Sequence, residues 1–145
     1  MCLMIYIATI APLQERVLPS GFAVQEVHPD KVAELRRTFS MPHVRFVGRA
    51  GSCSCDVPHV ICDHVIEYYD GMFESGPERQ TEIGNVRDLL DLVHESLPAG
   101  GQAELYPVEF GSEGLPPKGR IELRVSRVHA AEFFFIERFL YVLGA

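Results

Sequence analysis

The chain has few cations for its size. Its 145 residues carry 13 Lys and Arg against 20 Asp and Glu, a formal charge of -7. Phosphate binding relies on clustered Lys and Arg, so a dedicated nucleic-acid binder is disfavoured. The acidity reads instead as solubility. No run reaches the roughly 18 apolar residues of a membrane span. The apolar opening, Met1 to Pro12, lacks the basic start of a signal peptide, and Cys2–Ile7 alternates like a strand. These absences lead us to expect a cytoplasmic protein with no membrane partner and no nucleic-acid partner. There is no Gly-x-Ser-x-Gly, His-Glu-x-x-His, Walker A or dinucleotide fingerprint. Repeats, low-complexity stretches and linkers are missing too. Only four cysteines occur, and in a reducing compartment they read as thiols or ligands before disulfides.

What is present suits one globular domain spanning 1–145. The apolar fraction of 47% and charged fraction of 23% are ordinary. A chain of this length can bury a core without staples. Cys2–Ile10 is a near-continuous apolar run, as in a strand buried on both faces. Phe22–Val27 reads as a second strand. Asp30–Phe39 reads as a helix, opened by Pro29 and stopped by Pro42. His43–Val47 is a third strand, ending in Gly48. Val57–Met72 fits both a helix and a strand, and its spacing favours helix slightly. Gly76–Leu97 carries an apolar stripe of Ile83, Val86, Leu90, Val93 and Leu97 behind a Ser75–Glu78 capping box.

Gln102–Phe110 reads as a strand, with Pro107 suggesting an edge or a bulge. Arg120–Val128 alternates, with Ile121, Leu123 and Val125 inward. Phe133–Leu143 reads as a final strand, with a helix as the alternative because Glu132–Leu140 contains no breaker, and its surplus apolar surface makes a homodimer contact a candidate. The expected fold is α/β (α+β): a mixed sheet of five or six strands, two main helices and a C-terminal antiparallel meander.

Chemistry-bearing groups concentrate in Arg49–His64, which holds Cys53, Cys55, Cys62, His59, His64, Asp56 and Asp63. Structural zinc takes four Cys or His ligands in a tetrahedron. Cys53, Cys55, Cys62 and His64 supply that number, with His43 and His59 in reserve. An antiparallel hairpin pairing Cys55 with Cys62 and Cys53 with His64 would put all four on one face. If Val57–Met72 is a helix, that pairing fails and His59, Cys62 and Asp63 share a helical face instead. Zinc is the expected ion if any metal is bound.

A redox reading uses Cys53 and Cys55 alone. A helix starting after Asp56 would place Cys55 at its positive end and lower the thiol pKa. Arg49 would assist, and Asp56 would oppose. The competing reading makes the cysteines structural, since free cysteine packs like a small hydrophobe. Cys2 is expected to do so within the buried first strand. On that reading the protein is a non-catalytic interaction module. A cysteine hydrolase would need His43 or His59 as base, and no motif selects either.

Three segments also carry a resemblance: Cys2–Thr9, Pro42–Gly48 running on to Cys53-Ser54-Cys55, and Glu104-Leu105-Tyr106. Together they resemble a family of small bacterial proteins of unknown function with a Cys-Gly-Cys-Gly-type segment after the third strand. Ser54 and Asp56 stand here where that pattern has glycines. The resemblance implies a bacterial domain and carries over no catalytic residue.

Overall fold

The computed structural model describes residues 2–60 and 77–145. Within them the chain runs β1 (Leu3–Thr9), β2 (Arg16–Val17), β3 (Phe22–Gln25), α1 (Pro29–Arg36), β4 (His43–Arg49) and β5 (His59–Val60). It continues with α2 (Pro77–Ser96), β6 (Gln102–Glu109), β7 (Gly119–Arg124), β8 (Phe135–Ile136) and β9 (Phe139–Gly144). The mixed α/β class expected from the sequence is what forms. The main sheet has seven strands rather than five or six, in the order β2-β3-β4-β1-β6-β9-β7, and β5 pairs with β8 in a small second sheet.

β1 lies at the middle of the main sheet, antiparallel to β4 on one side and β6 on the other. Its unbroken apolar run follows from this position. Leu3, Ile5 and Ile7 enter one buried cluster with Val86, Leu89 and Val93 of α2. Tyr6 and Ala8 enter the other, with Leu35 of α1. Each fully buried aliphatic side chain contributes about 1.5–3 kcal/mol. A strand covered on both faces therefore has no place for a polar alternation.

α2 follows its apolar stripe, with Val86, Leu90 and Val93 buried together with Leu89 and Leu92. Ser75 and Gly76 of the expected capping box lie outside the described residues. α1 is shorter than expected, ending at Arg36, and Phe39 beyond it packs edge-on to Tyr106. Two buried carboxylates hold the connections. Glu104 accepts from the Ser40 amide and hydroxyl and from the Met41 amide. Glu113 accepts from the Tyr6 hydroxyl and the Gly111 amide and lies 3.4 Å from Lys31 Nζ.

The expected C-terminal meander does not form. β9 lies between β6 and β7, antiparallel to β6 but parallel to β7. The Gly/Pro segment after β6 thus leads to the sheet's outer strand, not to a hairpin partner. β7 keeps its predicted alternation, then gives way at Val125 to a turn of 3-10 helix. Phe133–Leu143 is two strands, β8 and β9, parted by a turn in which Arg138 has a φ of 64°. Phe133, Phe135 and Tyr141 of this stretch stack edge-on within one cluster. β6 is an interior strand, and Pro107 falls beyond the Gln102–Leu105 stretch that pairs with β9. There its carbonyl accepts from the Arg138 amide. Of Val57–Met72, only the first four residues are described. His59 and Val60 are strand, not the helix favoured by spacing, and the remainder lies outside the described residues. No helix among the described residues is long and apolar enough to cross a membrane.

Candidate metal centre

β4 ends at Arg49, and the chain reverses at once. The Ser52 amide donates to the Arg49 carbonyl, and the Arg49 amide donates to the Cys53 carbonyl. Gly51 sits in the turn with a φ of 68°, a region that glycine enters without steric cost. The Gln25 side chain clamps this turn from β3. Its oxygen accepts from the Gly51 amide, and its nitrogen donates to the Gly48 and Arg49 carbonyls.

The returning segment then replaces β4 as the neighbour of β1. The Ser54 amide donates to the Leu3 carbonyl. The fully buried Ser54 hydroxyl accepts from the Ile5 amide at 2.9 Å and donates to the Val47 carbonyl at 2.6 Å. A side-chain hydroxyl thus stands where β1 and β4 would otherwise share a direct ladder bond. Gly48 makes room for it, since a Cβ there would fall 2.7 Å from the Cys53 carbonyl oxygen and 2.8 Å from Ser54 Oγ. The Leu3 amide donates to Cys55 Sγ at 3.3 Å. At the loop's exit the buried Asn85 of α2 donates to the Asp56 carbonyl at 2.7 Å.

This docking brings three thiols together. The sulfurs of Cys2, Cys53 and Cys55 lie within 4.8 Å of one another. Cys2 is exposed, the other two are half-buried, and all three are free thiols. A tetrahedral ion with sulfur ligands at about 2.3 Å sets those sulfurs roughly 3.8 Å apart. Modest side-chain rotation closes the difference.

The thiols are not equivalent. Burial raises Cys53, but hydrogen bonds from the Cys55 thiol and amide, from Ser52 and from Cys2 outweigh it and hold Cys53 below the ordinary thiol value. Cys55 is pushed up to about 11, first by burial and then by the Cys53 thiol beside it. In a site without metal, Cys53 therefore becomes a thiolate before Cys55.

The expected site residues divide three ways. Cys53 and Cys55 are together at the end of β4 and partly accessible, as their position among glycines suggested. Cys62 and His64 lie outside the described residues, as does the hairpin that would pair them with Cys55 and Cys53. The reserve histidines are elsewhere. His43 pairs with Thr9 at the far end of β1, roughly 20 Å along the strand from Leu3. The ring of His59, on β5, engages the carbonyl of Val57 just before that strand.

Cys2 requires a correction, because it is not buried in the first strand. It precedes β1, is exposed, and joins the other two thiols. No local signal could show this, since 51 positions separate Cys2 from Cys53 and only the β1 docking joins them. Arg49 is also placed differently. It forms an ion pair with Asp56, so its charge is already partnered beside the thiols.

No family model matches the chain, and neither a curated protein nor a solved structure matches it.

Proposed function

We propose that the protein binds a thiophilic d10 ion, zinc being the expected one, through the thiolates of Cys2, Cys53 and Cys55. The observation that carries this reading is the meeting of three sulfurs from two distant segments within 4.8 Å. Soft thiolates select zinc, monovalent copper and iron–sulfur chemistry over hard cations. Three thiolates leave one corner of a tetrahedron open. The sequence offers Cys62 and His64 for that corner, which joins the expected ligand set to the observed cluster. With four protein donors the site is a closed, structural one. With water in the fourth position it is open to a substrate.

Native mass spectrometry of protein purified without chelator tests this. One bound metal is expected. Cys2→Ser separates the ligand set proposed here from one built on Cys53, Cys55, Cys62 and His64 alone, and is expected to remove the metal. Retention of metal by Cys2→Ser, or no metal in the wild-type protein, would refute the proposal.

A second reading rests on the inequality of Cys53 and Cys55. A thiol held below its ordinary pKa beside a protonated partner suits a thiol sensor or reductase, in which Cys53 attacks and Cys55 or Cys2 resolves. Fast modification of Cys53 in protein that carries no metal favours this reading. Absence of both metal and enhanced reactivity leaves the cysteines structural and the protein an interaction module.

A further inference from the structure

A second feature lies at the opposite end of β4. A cavity of about 230 Å³ opens between α1 and the start of that strand, walled by Leu13, Val32 and Val44 and by Arg36, His43 and Arg45. Among the described residues no acidic side chain lines it. In a chain with 20 acidic and 13 Lys or Arg residues, that composition runs against the average of the surface. Among the described residues neither arginine has a carboxylate in an ion pair.

Arg45 is also held in place. Its Nε donates to the Leu13 carbonyl at 3.0 Å, which fixes the guanidinium plane and leaves both Nη groups uncommitted among the described residues. β3 covers β4 only from Phe46 to Arg49, so no described strand pairs with residues 43–45 on the side away from β1.

We infer that this cavity binds a small organic carboxylate with a compact apolar body. A positioned guanidinium presents parallel N–H groups that match a carboxylate's two oxygens. His43 shares Arg45's face of β4, Arg36 lines the cavity from α1, and the valine and leucine side chains cover the ligand's hydrocarbon. The volume falls below the roughly 300–1,000 Å³ of sites for drug-sized ligands, so the occupant is a short-chain acid. A bare inorganic anion would leave the apolar wall unused. This inference does not depend on the thiol site, and its test does not involve the cysteines.

The test is a titration of the isotope-labelled full chain at low salt, followed through the amide signals of residues 43–45. The probes are 3-methylbutanoate, the isosteric 3-methylbutan-1-ol, and inorganic phosphate. Saturable shifts are expected with the carboxylate at millimolar concentration, none with the alcohol, and weaker binding of phosphate. Arg45→Gln and Arg36→Gln should each weaken carboxylate binding by about tenfold or more. Arg36 is exposed, so its variant keeps the test decisive if Arg45→Gln disturbs the Leu13 loop. Equal responses to acid and alcohol, phosphate binding as tight as the carboxylate, or carboxylate binding unchanged in Arg36→Gln would each overturn the inference.

Discussion

Ser54→Ala is the sharpest perturbation of the thiol loop. The hydroxyl is fully buried and bridges the Ile5 amide to the Val47 carbonyl. Alanine keeps the loop's shape but leaves one buried donor and one buried acceptor without a partner. Each such group costs about 1–3 kcal/mol, so the expected loss is roughly 2–6 kcal/mol. A total stability of about 5–15 kcal/mol makes that a large fraction. A water entering the vacated space would bring the loss to the low end of the range. Urea unfolding of the metal-free protein reads the change as a lower midpoint at unchanged slope. Because Ser54 lies between Cys53 and Cys55, the same variant should also loosen metal binding. A loss below about 0.5 kcal/mol would mean that the hydroxyl bridge contributes little and that other contacts hold the loop against β1.

Two further outcomes concern the thiols. Binding an ion displaces their protons, so apparent zinc affinity should fall with pH by up to about tenfold per displaced proton per pH unit. With three thiols, of which Cys53 ionises more easily than Cys55, competition with a chromophoric chelator between pH 8 and pH 7 should show a loss of roughly 100- to 1,000-fold. A pH-independent affinity would exclude thiolate ligands. In metal-free protein at pH 8, alkylation mapped by mass spectrometry should modify Cys53 before Cys55, since Cys55 ionises only as pH approaches about 11. Cys55→Ala should slow the Cys53 reaction by removing a hydrogen-bond donor that stabilises its thiolate. Faster labelling of Cys55 than Cys53 would reverse the assignment of the two thiols.

Periodicity and composition were enough to identify several elements. The stripe through Val86, Leu90 and Val93 specified α2 because a helix of 3.6 residues per turn has one face to bury. The apolar run of β1 specified a strand covered on both sides, and the glycines after Val47 located the turn that carries Cys53 and Cys55. Such signals are local, and they fix the type of an element better than its partner. β9 reads as a strand from its own residues, but its insertion between β6 and β7 depends on which edge of β6 remains open once β1 has paired with the other. Likewise, Cys2 is apolar in context and adjoins a buried strand, so a local reading puts it in the core. Only the antiparallel register of β1 on β4, the Gly51 turn and the Ser54 bridge carry Cys53 and Cys55 back to it. Local sequence therefore determined which residues could do chemistry. Long-range pairing decided which of them meet, because a thiol's neighbours are set by strand register and loop closure rather than by spacing along the chain.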